Sequence, residues 1–582
     1  MFSLFPTRAR AARLAAFLLT LAIGFTSQAH SQSSDANAEA SIGQGRILLV
    51  LPFDNLTKPA AAPAPSAPVN ASPNSANSNL DATNLDWIRE AIPEILNSRF
   101  ASAGFLPLTR EDRLYALDHL GLPETFDPSR ATALRIAQTL DANYILIGSY
   151  RVDGSTLTLK ARIVDVGKLS LSPEITQTGP IAQLIPQLSS LAWQLTRKLD
   201  PNFNVAEETF RASGSKVRLD AFEQYIRGLT ERDAAERLRH LKKATDLNPD
   251  FTEAWLATAK LQFAGQQYEQ AAVSFSKVTK SDPSALEAGF YRGLSYIFSG
   301  NYPRAEEAFA SVGRVLPLPE VVNNEAVANS RRNRDAVTAI ALFRQAVAAD
   351  PNDADYHFNL AVSLHRHGDR AEALTELAQS LRLHPNDSEA KALQQAWSNS
   401  KPQTEAVSVA TSQSTSEPLE RIKRTYDGAA FRQASQMLDQ MESARLAALP
   451  ASQRAAKLSS SAHEKLDRGL LLEAEQGYQS ALAADDHSAQ AHAGLAEVRE
   501  RAGDTEAARQ EAQASLVRQP NLEAYLVLAR IDLAANRLAE AREEADAALK
   551  LDTNSRPAKD LRKAIETRLA SDIKPVAPTT NP

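Results

Sequence analysis

Apolar and polar positions along this chain fall into two regimes. From Phe222 to Pro385, apolar residues recur at helical spacing, and the helical stretches are punctuated by Pro249, Pro283, Pro317, Pro351 and Pro385, each 34 residues after the one before. A proline just beyond a helix lacks a backbone donor and stops propagation, so each one marks the end of the second helix of a repeating pair. Small residues stand where two antiparallel helices must approach closely: Ala259, Gly293, Val327 and Ala361 on the first helices, and Ala271, Ala305, Ala339 and Ala373 on the second. Bulky Phe275, Phe309, Phe343 and Leu377 recur at one second-helix position, while Trp255 and Tyr296 fill first-helix positions. Large knobs therefore meet small holes from repeat to repeat. A fixed period of this length predicts a stacked helical solenoid. The unit ending at Pro249 fits less well: Tyr225, Gly228 and Leu229 suit the first-helix pattern only with an inner turn about three residues shorter, as a terminal repeat allows.

Upstream the period changes. Ile47 to Phe53 is a continuous apolar run, the pattern of a strand buried on both faces. Helical spacing returns over Leu85 to Ala103, Arg110 to Leu120, Pro128 to Leu140 and Ile181 to Leu199. Between the last two, Tyr144 to Arg151 and Ser155 to Asp165 read as strands joined at Asp153-Gly154, a strong hairpin signal. The expected fold class is multidomain, α/β plus all-α: a small mixed α/β domain over 41–200, interrupted by a Pro/Ala/Ser/Asn insertion at 57–80, then two helical solenoid arrays. Asp200 to Lys216 is polar and reads as a hinge. The first array spans 217–397 and closes with a capping helix from Ser388 to Trp397. Residues 398–418 form a linker rich in Ser, Thr and Gln. The repeat returns more weakly over 419–570, through Ala462, Gly469, Ala474 and Tyr478, then Ala496, Gly503 and Ala508, then Ala529 and Ala541, with a cap from Arg556 to Leu569. A long helical stretch, Ala429 to Leu449, is expected to pack on the first repeat of this second array. Residues 571–582 are expected to form a disordered tail.

Charge and composition narrow the functional classes. With 64 basic against 70 acidic residues, the net charge is −6, which lacks the footprint of a nucleic-acid binder. There is no cysteine, hence no disulfide, thiolate ligand or lipid-bearing Cys. Arg8, Arg10 and Arg13 precede an apolar run from Leu14 to Phe25 and then Ser27-Gln28-Ala29, the pattern of a secretory signal peptide over 1–29. The run is too short for the roughly 20 residues a membrane span needs. The mature chain is therefore expected to cross the inner membrane into the periplasm and to keep no transmembrane span.

The repeat pattern resembles the tetratricopeptide repeat family, with small residues at its eighth and twentieth positions, a bulky one at its twenty-fourth and proline at its thirty-second, in phase over four repeats. The α/β region is similar to the amino-terminal domain of TolB and to CsgG-like domains. That likeness rests on Leu51-Pro52-Phe53-Asp54-Asn55, Ala142 to Ser149 and Ala161 to Asp165, and implies a non-enzymatic module of envelope and secretion assemblies. The tetratricopeptide resemblance implies a concave groove on the first helices, lined by Leu256, Lys260 and Phe263, then Phe290, Leu294, Ile297 and Phe298, then Asn324, Arg331 and Arg332, then Phe358, Val362, His365 and Arg366. Such a groove would suit an extended or helical segment carrying apolar anchors followed by an acidic group, with Arg331, Arg332 and Arg366 pairing to carboxylates. The Lys and Asn pattern with which chaperone-binding members clamp a terminal carboxylate is missing. The competing account places the aromatics in helix packing and the arginines in solvent.

Chemistry-bearing candidates are few. Gly43-Gln44-Gly45 precedes its strand, whereas a dinucleotide loop must follow one. His365 and His367 point to different helix faces and, with His357 and His384, make a poor metal site. Glu306-Glu307 and Glu543-Glu544 fit solvated faces. The chain reads as a non-enzyme without cofactor or metal: an extracytoplasmic scaffold or adaptor binding proteins through the repeats, with peripheral association with an envelope complex. The alternative is a sensor whose α/β domain binds a small molecule and whose repeats transmit the signal. If the amino-terminal stretch is a cleaved signal, intact-mass measurement of secreted protein should place the first residue near His30. A mass retaining residues 1–29 would refute it.

Overall fold

The computed structural model describes residues 46–57, 85–124, 129–214, 217–279, 282, 284–332, 337–399, 418–426 and 428–572. The expected signal peptide, nearly all of the 57–80 insertion, Pro283, residues 400–417 of the expected linker and most of the tail lie outside them. The architecture is a small mixed sheet domain followed by a long run of paired helices. Two compact units emerge, Glu231–Met441 being the body of one and Asn37–Thr230 with Glu442–Pro582 that of the other.

In the second of these units, seven strands form one sheet: β1 (Ile47–Val50), β2 (Asp54–Asn55), β3 (Leu106–Pro107), β4 (Tyr144–Asp153), β5 (Thr156–Asp165), β6 (Ser170–Leu171) and β7 (Ile175–Pro180). Their order is β3-β1-β4-β5-β6, with β2 also on β4 and β7 also on β5. The first three pair in parallel and β4–β5 is antiparallel, Asp153 facing Thr156 across the turn at Gly154, where φ is +60°. Leu146, Tyr150, Leu157, Leu159 and Ala161 are buried. Helix Leu184–Leu199 packs against both β7 and the helix Trp87–Ser102. At Gly148 a Cβ would lie 2.3 Å from the Phe53 ring and 2.4 Å from the Lys160 carbonyl oxygen, so only glycine lets Phe53 cross the strand there. Leu49, Leu51 and Ile145 pack with Ala116, Leu117, Ile136 and Ala137 from helices Arg110–His119 and Arg130–Thr139.

The stretch expected to be a hinge is an anchored strap. Phe203, Val205 and Phe210 are buried, and Phe203 meets Phe210 edge to face at 5.8 Å. Arg99 stacks on the Phe210 ring and donates to the Phe210 carbonyl and, at 3.1 Å, to Ser213 Oγ. Polarity suggested a hinge because alternation is absent there, yet three apolar anchors suffice to fix the chain. The strap also grips the second array: fully buried Glu475 accepts the Ala206 N–H at 2.9 Å and Arg499 at 2.8 Å, and Gln479 Nε2 donates to the Asn204 carbonyl at 3.1 Å. Helix Leu219–Thr230, expected to open the first array, packs on Trp87–Ser102, Trp87 meeting Phe222 at 6.4 Å.

In the first unit, helix pairs run from Ala234–Leu247 to the single helix Ser388–Asn399. The small residues Ala259, Ala271, Ala305, Val327, Ala339, Ala361 and Ala373 are all buried. A Cβ at Gly293 would sit 2.7 Å from the Phe309 ring, which is why a small residue is needed where that knob enters. The helix Gly428–Ala447 departs from expectation. Its buried Phe431 and Ala434 belong to the core of the first array, Phe431 lying 6.4 Å from Phe290, so the boundary drawn at 418 falls too early.

The second array runs through the pairs from Ala451–Asp467 to Leu538–Leu551, with Arg556–Asp572 behind them. Glu543 is exposed, but Glu544 is half-buried and hydrogen-bonded to buried Asp532, which Arg509 and Arg537 also hold. Burial, and then the Asp532 charge, push the Glu544 carboxyl up to about 8. A group whose pKa is raised above its ordinary 4.5 favours the fold fully below that value and loses the contribution as pH rises through about 8. Glu544→Gln should keep the hydrogen bond without the proton and flatten the fall in melting temperature between pH 5 and 9, roughly the window those two values define. An unchanged pH profile in calorimetry would show that the pair does not titrate this way.

Candidate protein-binding groove

Helices Ala285–Phe298, Pro319–Arg332 and Ala354–His367 supply one face of the first array, and residues 418–426 of the same chain lie along it in an extended conformation. The clasp is made by side-chain amides. Asn359 Nδ2 donates to the Arg421 carbonyl at 2.7 Å while its Oδ1 accepts the Arg421 N–H at 2.6 Å. Two residues on, Asn324 does the same for Lys423, at 2.7 and 2.9 Å. Asn323 braces the pair: its Oδ1 accepts from Asn359 at 2.8 Å, and its Nδ2 donates to the Arg421 carbonyl at 3.2 Å. Each carboxamide offers a donor and an acceptor side by side, as a neighbouring strand would, and the two-residue step matches the period of an extended chain.

Side chains of the segment are sorted by charge. The Glu420 carboxylate is fully buried and meets Arg366, Arg331 at 3.4 Å and Ser330 Oγ at 2.6 Å; Arg331 also donates to the Glu420 carbonyl at 2.7 Å and Arg366 to that of Pro418 at 2.6 Å. The cations of the segment face an acidic rim. Arg421 lies 3.7 Å over the Phe358 ring and pairs with Asp387 at 2.6 Å, Glu389 at 3.1 Å and Asp355 at 3.2 Å. Lys423 Nζ reaches Asp353 at 2.8 Å and Asp355 at 2.7 Å. Burial pushes the Asp355 and Asp387 carboxyls up, but Lys423 on the first and Arg421 on the second outweigh it and hold both below the ordinary range. Burial likewise opposes the Lys423 charge, and Asp353 and Asp355 win, raising its pKa. Tyr426 closes the row, 5.8 Å from Phe290 and 4.1 Å from Phe431.

The residues expected in the groove divide. Phe290, Phe298, Asn324, Arg331, Phe358 and Arg366 meet the segment, Phe298 through Arg424 at 5.2 Å. Phe290 is also core, edge to face with Phe309 at 5.7 Å, and so are buried Leu294, Ile297 and Val362. Others are engaged elsewhere. Leu256 packs beside Ala259 and Phe275, Phe263 sits among Tyr268, Tyr291 and Phe298, and Lys260 pairs with Glu287 at 2.6 Å. Arg332 turns to Glu306 at 2.9 Å, and His365 stacks on Trp397 at 4.0 Å. The acid of the segment precedes its apolar anchors, the reverse of the expected order. Sequence reasoning missed Asn323, Ser330, Asn359 and the acidic rim, because polar residues on a solenoid face carry no periodic signal. His357 is tied to Glu376 at 2.6 Å and to the Pro351 carbonyl at 3.0 Å, and His367 to Asp369 at 2.9 Å.

On the sheet of the other unit, a cleft of about 330 Å³ is lined by Leu51, Asp54, Arg130, Ile147, Lys160 and Arg162 among others. Glu174 pairs there with Lys160 at 2.9 Å and Arg162 at 3.4 Å.

Paired helices stacked into arrays, one presenting an amide-lined face to extended backbone, define a helical repeat scaffold. Residues 331–396 match the profile of the tetratricopeptide repeat family, as do 256–314, 460–523 and 501–556, so the repeats of both arrays are tetratricopeptide repeats. The chain is similar to anaphase-promoting complex subunit 3 of Schizosaccharomyces pombe, 23% identical over 157 residues that make up 27% of this chain and 24% of the relative. It thus spans about a quarter of that relative's length. Among solved structures, it is similar to the TPR2AB domain of yeast Sti1 (15% identity, 49% of this chain and 100% of that one, TM-score 0.19). It is also similar to MamA of Desulfovibrio magneticus RS-1 (21% identity, 28% and 92%, TM-score 0.26). No helix among the described residues is long and apolar enough to cross a membrane.

Asn359→Ala should leave the half-buried Arg421 amide without its acceptor and its carbonyl with Asn323 alone, at a cost of about 1–3 kcal/mol. Hydrogen exchange at the Arg421 amide should accelerate accordingly, whereas Arg332→Glu, which touches Glu306 instead, should leave it unchanged. Equal effects of the two would show that the clasp does not hold the segment.

Proposed function

We propose that this protein is a non-enzymatic scaffold of the bacterial envelope, exported across the inner membrane, whose first array holds an extended segment of a protein partner. Tetratricopeptide repeats typically mediate protein–protein interaction, and the observation that carries the reading here is the two-residue clasp of Asn324 and Asn359 on extended backbone. The envelope setting rests on the signal-like amino terminus and on the likeness of the α/β domain to TolB amino-terminal and CsgG-like modules. In this reading the α/β domain docks one component of an assembly. The repeats bind another.

A second reading, a ligand-sensing regulator, draws support from the 330 Å³ cleft, whose mixture of apolar wall and the charged groups Asp54, Arg130, Lys160 and Arg162 is of the size and character of a small-molecule site. Affinity purification from envelope extract separates the two. Proteins recovered with the full-length chain should be lost with Asn324→Ala/Asn359→Ala. Identical recovery by both baits, together with a small molecule retained on the chain in native mass spectrometry, would transfer the function to the cleft.

A further inference from the structure

We infer that residues 418–426 are a built-in competitor for the first array's groove, and that the partner of this groove is a segment with the same layout. That layout is a buried glutamate, an aliphatic residue two positions later, an aromatic six positions later, and cations between them. The inference rests on the scaffold reading above.

The chemistry of the groove specifies this layout position by position. Arg331, Arg366 and Ser330 converge on one carboxylate, that of Glu420, and a neutral residue there would leave two guanidinium groups facing each other in a nearly dry site. The amides of Asn359 and Asn324 read backbone at the first and third following positions, so they accept any residue type that stays extended. At those same two positions the rim of Asp353, Asp355, Asp387 and Glu389 selects cations, which Arg421 and Lys423 supply. Ile422 packs against the core of the array, and Tyr426 lies on Phe290 and donates its backbone N–H to the Tyr291 hydroxyl oxygen. A partner is thus cationic overall but carries one obligatory acid.

Several features make this occupancy exchangeable. Leu419 is 62% exposed, and Arg424 and Thr425 are exposed. The hold is mostly side-chain amides and ion pairs whose donors and acceptors another extended segment can use identically. Being on the same chain, the segment acts at an effective concentration on the order of millimolar, so it lowers the apparent affinity of any partner without abolishing it.

The test uses the full-length chain and a labelled synthetic peptide of residues 418–426. Glu420→Lys/Lys423→Glu places a cation against Arg331 and Arg366 and an anion against Asp353 and Asp355, which should expel the resident segment while sparing the core. Fluorescence anisotropy should then show the peptide binding the variant at least about tenfold more tightly than the wild type. Asn359→Ala added to the variant should remove that binding, and a peptide carrying Ile422→Asp should not bind. Independently of any variant, excess peptide added to the wild-type chain should accelerate hydrogen exchange at the Arg421 and Lys423 amides. Equal affinity for wild type and variant would overturn the competitor while leaving the groove a peptide site. Failure of the released variant to bind the peptide at all would overturn both. Unaltered exchange at Arg421 and Lys423 under saturating peptide would make the segment a fixed part of the array.

Discussion

A helix with one apolar stripe cannot bury that stripe alone, and the rest of this molecule follows from how each pair of helices borrows its neighbour's surface. The fit is set by small residues opposite large ones, as where Gly293 admits the Phe309 ring at a distance no Cβ would tolerate. Repeating that fit every 34 residues fixes a common angle between successive pairs, and equivalent positions on the first helices line up along one face. The groove is therefore a consequence of packing. What it binds is decided by the few residues that packing leaves free.

Those free positions are spent unevenly. Trp255, Asn323 and His357 occupy one register, spaced 68 and 34 residues apart, and the solutions differ. Trp255 Nε1 donates to the Pro249 carbonyl at 2.8 Å, and His357 Nε2 meets the Pro351 carbonyl at 3.0 Å, each tying its helix to the turn six residues before. Asn323 turns to the groove instead and braces Asn359. Burial works against the charge on His357, but Glu376 raises its pKa, so the ring is both a spacer and an ion-pair partner. None of these roles needs a metal or a substrate. Of the histidines that look like ligand candidates in the sequence, His357 and His367 are held by carboxylates and His365 stacks on Trp397.

Legibility in the sequence follows the same division. The proline ladder, the Ala and Gly holes and the hairpin at Gly154 could be read because each is a local rule with a fixed spacing. The position of 418–426 could not, because Glu420, Arg421 and Lys423 are charged and have no period, and they are held by groups 32 to 99 residues away in the chain. The same holds for the strap: Glu475, a carboxylate on a helix, would ordinarily be solvated, and only the arrival of Ala206 and Arg499 gives it partners that make burial tolerable. In the groove, the sequence could indicate Phe290, Asn324, Arg331 and Arg366 as facing inward. It could not indicate that Arg332 would prefer Glu306, since adjacent helix residues diverge by about 100° and the nearer carboxylate decides.

The second array shows why a shared repeat need not mean a shared groove. Its His492 pairs with Glu511 at 2.6 Å, nineteen residues on, as His357 does with Glu376, which aligns the two helices residue by residue. In that register Gly494 stands where Asn359 stands in the first array. No carboxamide is available there, and the space is already taken, because a Cβ on Gly494 would lie 2.1 Å from the Tyr478 ring. Two residues after His492, then, the second array has exchanged a backbone clasp for a buried aromatic, Tyr478 being 1% exposed. Its polar investment appears instead at Glu475, on the same helix as Tyr478, where it holds the strap that leads out of the sheet domain. One array keeps its amides for extended backbone. The other has spent the equivalent position on packing, which suits a segment whose task is to stay attached to the α/β domain.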